Sequence, residues 1–172
     1  ILYKNTIVFG NLPYNISTEI LFKLINLNKK SNYFQKLILM FQKEVANKII
    51  AKYKSKDFSR LSVISNFNLK VTNRIDISKN CFWPVPKVDS TLLVFEPISQ
   101  KKINIRNMKN LEHVTRIMFS NKRKMINKCF KKLFHEPDKI SKEIGLDLTL
   151  RPSEINEKTY YKITELFEKY NN

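Results

Sequence analysis

With 172 residues, 42% of them hydrophobic and 12% aromatic, the chain can bury one good core or a modest core with a small satellite domain, which excludes a disordered tail. Its 32 Lys and Arg against 15 Asp and Glu leave a net charge of +17, pointing to a polyanionic partner, nucleic acid first, with drift of an AT-rich genome toward Lys, Asn and Ile as the rival explanation. Two well-separated Cys and two His speak against a disulfide framework or a metal site, so Cys81 and Cys129 are expected to be small buried hydrophobes in a reducing compartment; without an apolar run of roughly 20 residues or a signal-peptide pattern, a cytoplasmic protein is expected.

The chain opens on Thr6-Ile7-Val8-Phe9, a short apolar run closed by Gly10, the pattern of an interior strand of an α/β sheet. Ser17 and Thr18 offer N-cap oxygens, and Ile20, Leu21, Leu24 and Ile25 recur at helical spacing, which predicts a helix from about Thr18 to Leu27. Leu37 to Phe41 predicts a second buried strand, and Val45, Ala46, Ile49 and Ile50 a helix after it. Strand, helix, strand, helix argues for a parallel sheet with helices on its faces. Arg60 to Ile64 predicts a short helix, and Phe67, Leu69 and Val71 alternate with polar residues as in a strand. The two prolines of Cys81-Phe82-Trp83-Pro84-Val85-Pro86-Lys87 forbid regular pairing, and Val88 to Phe95 restores a strand. A strand, a Pro-braced loop and a strand predict the antiparallel edge that closes many such sheets.

From Glu96-Pro97 to Arg106 the chain is polar and aperiodic, which divides it into an α/β domain over 1–97 and a small all-helical domain over 98–172. Met108, Leu111, Val114, Ile117 and Met118 form one helical stripe. Met125, Cys129 and Leu133 form a second, flanked by Ile126 and Phe130 and capped by Ser120 or Asn121, and Tyr160, Ile163, Leu166 and Phe167 mark a last helix. Lys122, Arg123, Lys124, Lys128, Lys131 and Lys132 crowd the polar face of the middle helix. Such a run is either a solvated face or a surface whose phosphate contacts position RNA without reading it.

Asn11-Leu12-Pro13-Tyr14 sits just beyond the first strand, where an open α/β sheet places its ligands. The exocyclic nitrogen of adenine is a poor nucleophile because its lone pair is delocalised into the ring. Methylating it calls for neutral acceptors aimed at its two N–H bonds, which favour a pyramidal nitrogen turned toward the methyl donor. The Asn11 side-chain oxygen is one such acceptor. The Leu12 carbonyl is a natural second, because Pro13 restricts Leu12 to extended geometry. Tyr14 provides a flat face for a base taken out of its stack. The same residues also fit an Asx-Pro turn ahead of a helix.

The segment Val8-Phe9-Gly10-Asn11-Leu12-Pro13-Tyr14-Asn15-Ile16-Ser17-Thr18 resembles the catalytic segment of the small-subunit ribosomal RNA adenine dimethyltransferases, the KsgA/Dim1 family. Further blocks follow in that family's order: Gln42-Lys43-Glu44-Val45-Ala46, Arg60-Leu61-Ser62-Val63, Phe82 with Pro84 and Pro86-Lys87-Val88-Asp89-Ser90, Asn121-Lys122-Arg123-Lys124, and Gly145-Leu146-Asp147 leading to Arg151-Pro152. The resemblance implies the C-terminal half of a Rossmann-like class I methyltransferase sheet, followed by a small helical domain that helps dock on the ribosomal subunit. It implies an S-adenosylmethionine-dependent enzyme of ribosome biogenesis that dimethylates N6 of adjacent adenines in small-subunit ribosomal RNA, monomeric at full length. By resemblance Asn11, Leu12, Pro13 and Tyr14 are the catalytic residues, with Asn11 also on the edge of the donor site. Phe82 would stack on the adenine opposite Tyr14. Lys122, Arg123, Lys124, Lys128, Lys131 and Lys132 would contact RNA, while Lys87, Asp89 and Ser90 hold the loop. Trp83 is left open between core packing beneath that loop and a place at the base.

The donor half of the site is missing from the sequence. A Rossmann-type methyltransferase needs a Gly-rich loop and an acidic ribose ligand, yet Gly10 and Gly145 are the only glycines. The chain opens without Met on Ile1, which leads to the expectation of a fragment preceded by roughly 90 residues in about three βα units, with poor donor binding of its own and either an exposed apolar edge on its first strand or pairing with another chain. Two other readings are compatible with the motifs: an antibiotic-resistance methyltransferase of large-subunit RNA, and a non-catalytic nucleic-acid-binding assembly factor.

Overall fold

The computed structural model describes residues 6–31, 33–98, 103 and 105–170, with the side chains of 29–31 excepted. Two compact units divide the chain, one made of Ile1–Ile50 with Asn68–Ser99, the other of Ala51–Phe67 with Gln100–Asn172.

In the first unit, β1 (Thr6–Asn11), α1 (Ser17–Ser31), β2 (Phe34–Gln42) and α2 (Lys43–Ile50) follow in the predicted order. Two further strands, β3 (Leu69–Ile77) and β4 (Ser90–Pro97), complete a four-stranded sheet of order β1-β2-β4-β3. β1 and β2 are parallel, while β4 runs antiparallel to both β2 and β3. The sheet is therefore mixed, and the prolines between β3 and β4 close the antiparallel pair that the sequence predicts.

Register decides which side chains share a face. Gly10 pairs with Leu39 and Leu39 with Leu93, while Leu37 pairs with Phe95. Leu37, Leu39, Phe41, Leu93 and Phe95 are fully buried on this face, and Phe41 meets Phe95 edge to face with centroids 6.2 Å apart. The other face carries Phe9, paired with Ile38, and Ile75, paired with Leu92. β1 is the outer strand of this order, and on it Phe9 is 72% exposed and Ile7 48%.

Helix α1 starts earlier and runs longer than predicted. Ser17 does not cap it; its hydroxyl donates back to the Tyr14 carbonyl at 3.2 Å, and the first helical bond runs from the Ile20 N–H to the Ile16 carbonyl.

In the second unit, α3 (Arg60–Asn68) is longer than expected and absorbs Phe67, which the alternating pattern places in a strand. Phe67 is buried and packs edge-on against Tyr161, whose hydroxyl donates to the Val63 carbonyl at 3.0 Å. These interactions, with Phe58 against Phe119, explain why 51–67 belongs to the helical unit although its sequence pattern suggests a place in 1–97. The other end of the division falls at 99/100.

The remaining helices are α4 (Met108–Met118), α5 (Asn127–Lys131), α6 (Pro137–Glu143) and α7 (Glu157–Tyr170). Met108, Leu111, Val114 and Met118 of α4 and Tyr160, Ile163 and Leu166 of α7 are buried, as their spacing predicts. Glu168, only 4% exposed, accepts from the Arg106 and Asn107 N–H groups at 2.8 and 2.9 Å and from the Asn110 side chain at 2.9 Å. A carboxylate at a helix N-terminus meets both the free N–H groups and the positive end of the helix dipole. Glu168→Ala is expected to cost about 2 kcal/mol and to lower the thermal midpoint by roughly 4 to 8 °C; an unchanged melting curve would contradict this clamp.

Candidate active site

The turn after β1 is shaped by a missing Cβ. A methyl on Gly10 would lie 2.9 Å from Leu12 Cδ2 and 2.9 Å from Leu39 Cδ2. Glycine at this position lets the Leu12 side chain fold back against β2, where it is buried. With that side chain anchored inward, Asn11 and Pro13 remain exposed on either side of it. Among the described residues no hydrogen bond engages the Asn11 side-chain amide or the Leu12 carbonyl. The Pro13 carbonyl accepts from the Ile16 N–H at 3.2 Å, closing the turn.

Tyr14 is half-buried, and its hydroxyl lies 2.7 Å from Ser90 Oγ. Ser90 is fully buried and opens β4, paired with Gln42 at the end of β2 and with Ile77 at the end of β3. The ring of Tyr14 is thus tied to the sheet framework. Asn11, the end of β2 and the loop between β3 and β4 all lie at this same end of the sheet, as the position of the motif predicts.

That loop, residues 78–89, is pinned at both ends. Asp89 Oδ1 accepts from the Lys79 N–H at 3.1 Å, the Asp89 carbonyl accepts from the Lys43 N–H at 3.0 Å, and Ser78 Oγ accepts from the Asn80 N–H at 3.3 Å. Asp89 therefore holds the loop as expected, whereas Ser90 Oγ bonds Tyr14 and Lys87 is exposed and makes no ion pair among the described residues. Phe82 is half-buried, and among the described residues no ring contact joins it to Tyr14. Trp83 is 95% exposed, which removes the core-packing alternative. Cys81 is also exposed, contrary to expectation, in a short 3-10 turn at the start of the loop; Cys129 is buried as expected.

One cluster near this end carries no local sequence signal. Asp76 on β3 accepts from Arg74 at 2.9 and 3.0 Å and from Thr91 Oγ1 at 2.8 Å, with Lys43 at 3.7 Å. The Arg74 hydrogen bonds, then Thr91 and the nearby positive charges, hold its carboxyl down to about 2. Arg74 and Lys43 are thereby paired within the protein. Only cross-strand register brings Asp76 to Thr91, so no local motif could have announced it.

The basic run of the second unit is less helical than its spacing suggests. Lys122, Arg123 and Lys124 lie in a turn after Phe119–Asn121, and only Lys128 and Lys131 fall within the short helix α5, with Lys132 just past it. The Ile126 N–H donates to the Leu150 carbonyl at 2.9 Å, and the buried Ile126, Cys129, Phe130 and Leu133 hold the segment inward, while Met125 is 52% exposed. All six cations are exposed and none has an ion-pair partner among the described residues. Elsewhere in this unit Lys139, Lys162 and Arg60 are paired with Glu136, Glu165 and Glu112. Lys109, Lys142 and Lys158 of this unit are likewise exposed and without an ion pair among the described residues, so what sets the run apart is its density in sequence and not its lack of partners.

Residues 3–171 match the family described as ribosomal RNA adenine dimethylase. The chain belongs to this family. It is 46% identical over 162 residues to a ribosomal RNA small subunit methyltransferase A of Pelagibacter ubique, covering 94% of this chain and 61% of that protein. A protein of the same name from Lactobacillus johnsonii is 33% identical over 170 residues, covering 97% of this chain and 56% of the relative. The chain thus spans about three fifths of the length of these curated relatives. Among solved structures, a dimethyladenosine transferase from Plasmodium falciparum superposes with a TM-score of 0.77 at 25% identity, covering 98% of this chain and 69% of that one. The 23S rRNA methyltransferase ErmE shares the fold, with a TM-score of 0.59 at 16% identity over 98% of this chain and 66% of that one. The mixed sheet and helical part described above are thus similar in fold to those of a dimethyladenosine transferase.

Proposed function

We propose that this chain is the base-holding part of an enzyme that dimethylates N6 of adenines in small-subunit ribosomal RNA, with S-adenosylmethionine as methyl donor. The observation that carries this reading is the turn after β1, where the Asn11 amide and the Leu12 carbonyl stand unengaged beside a Tyr14 ring tethered through Ser90. In the first transfer Asn11 Oδ1 and the Leu12 carbonyl accept the two N6 hydrogens, and in the second one of them accepts the hydrogen that remains, drawing the lone pair out of the ring plane; each transfer releases one N6 proton to solvent as the new N–C bond forms. Tyr14 supports one face of the extruded base and Phe82 closes on the other. The bound donor supplies a methyl group carried on a sulfonium.

The residues present fit one edge of a donor site, through the exposed Asn11 side chain. They do not make a Gly-rich cradle: the space above Gly10 is filled by Leu12 and Leu39, and Gly145, at a φ of +63°, ends the α6 segment in the other unit. Donor binding, turnover and the choice of subunit are accordingly proposed for the full-length protein. The small-subunit names of the relatives favour that RNA over the large subunit, where ErmE shares only the fold.

Two expected results probe the supporting structure. Gly10→Ala forces Leu12 out of its place and is expected to lower turnover about tenfold at unchanged RNA affinity, as small misplacements of reacting groups do; wild-type turnover would contradict the packing role. The basic patch docks on phosphates. Replacing Lys122, Arg123 and Lys124 with Ala together is expected to weaken RNA binding and to make the plot of log affinity against log salt shallower, by about 1 for each phosphate no longer neutralised. An unchanged slope would return the patch to a solvated face.

A further inference from the structure

We infer that Trp83 is a stacking platform for an unpaired RNA base neighbouring the target adenine, held beside the active-site turn by the loop between β3 and β4. The inference rests on the proposed reading of that turn as an adenine site. Trp83 is the only tryptophan of the chain and is 95% exposed. Tryptophan is highly buried on average in folded proteins, so a ring presented almost wholly to water stands apart from its type. Val85 and Val88, at 52% and 42% exposure, extend the apolar surface along the same loop.

The ring is presented on a stiff support. Pro84 follows it and Pro86 stands two residues further on, each with its φ restricted by the pyrrolidine ring. The Asp89 and Ser78 hydrogen bonds hold the two ends of the loop. A platform ordered in advance loses little entropy when a ligand settles on it.

Charge and continuity identify the ligand. Lys79 and Lys87 lie on either side of Trp83 in the loop, both exposed and without an ion pair among the described residues. An exposed aromatic ring on a loop that also carries unpaired cations is the combination that takes single-stranded nucleic acid, the ring stacking on a base and the cations meeting the backbone. The same loop ends at Ser90, which tethers Tyr14. Phe82 and Trp83 are consecutive but differ in exposure, one half-buried and the other nearly free. Phe82 faces the target base, and Trp83 is left for a neighbour.

The test uses the full-length protein and its Trp83→Phe variant, whose difference in emission isolates the fluorescence of Trp83 whatever other tryptophans are present. Single-stranded oligoadenylate is the probe, with an abasic strand of equal length and charge as control. The platform predicts quenching of Trp83 by oligoadenylate and none by the abasic strand. It also predicts that Trp83→Ala binds oligoadenylate about 5- to 150-fold more weakly at an unchanged salt slope, with Trp83→Phe retaining most of the affinity. Bound oligoadenylate without quenching, or wild-type affinity in Trp83→Ala, overturns the platform while leaving the adenine site intact. Blue-shifted Trp83 emission in the free protein, the mark of a ring covered by its own chain, overturns it too. A full-length protein that binds the strand but methylates no RNA removes the underlying reading instead, whatever Trp83 does.

Discussion

Asn11→Ala in the full-length protein is expected to lower kcat for methyl transfer by about 100- to 1,000-fold, the usual effect of removing one preorganised polar group from a reacting centre. Affinity for RNA should change little. Asn11 lies at the exposed end of β1, and no side-chain hydrogen bond in the described structure depends on it. Its truncation leaves the fold and the stacking faces in place and takes away only an acceptor for an N6 hydrogen. The loss should therefore appear in single-turnover rates and not in binding isotherms. Asn11→Asp keeps an acceptor of the same size and should recover part of the rate. A kcat equal to wild type in Asn11→Ala would show that the nitrogen needs no acceptor from this side chain.

Tyr14→Ala is expected to weaken productive RNA binding by about 5- to 150-fold, corresponding to roughly 1 to 3 kcal/mol for one stacked base. Tyr14 has a second role that can be separated from the first. Its hydroxyl meets the fully buried Ser90 Oγ at 2.7 Å, so Tyr14→Phe keeps the flat face and loses only the tether. Tyr14→Phe and Ser90→Ala should each have smaller effects than Tyr14→Ala, and the double variant should be no worse than the more impaired single one, because both remove the same bond. Thermal melts distinguish loss of stacking from loss of stability, since Tyr14→Phe strands a buried Ser90 hydroxyl. Equal binding by Tyr14→Ala and wild type would contradict the stacking role.

Much of the first unit was legible because its signals are local. The continuous apolar run from Leu37 to Phe41 marked a buried strand, and two prolines between β-rich segments marked an interruption of pairing; the run Ile7-Val8-Phe9 gave a strand too, but Ile7 and Phe9 are exposed on it. The Asn11-Leu12-Pro13-Tyr14 segment was legible as a turn because Pro13 constrains its neighbour through covalent geometry alone, and its chemistry is the proposal tested above. Features that depend on partners distant in sequence were not. Phe67 alternates with Leu69 and Val71 as a strand residue would, yet Tyr161 and the Val63 carbonyl recruit its segment into a helix. The basic residues from Lys122 to Lys132 have helical spacing, but Ile126 is drawn to the Leu150 carbonyl and the helix shortens to Asn127–Lys131. The role of Gly10 follows from the register that sets it opposite Leu39. The exposure of Trp83 was open in the sequence because a Pro-rich loop can fold over its aromatic residues or display them.

The most direct test is the product itself. Full-length protein is incubated with S-adenosylmethionine and, separately, with small-subunit particles or naked large-subunit RNA, and the digested RNA is analysed for methylated adenosines by mass spectrometry. N6,N6-dimethyladenosine in the small-subunit RNA, lost in Asn11→Ala, is the predicted result. Methylation confined to the large-subunit RNA, or dimethylation that persists undiminished in Asn11→Ala, would contradict the assignment of this turn as the half of the active site that holds the base.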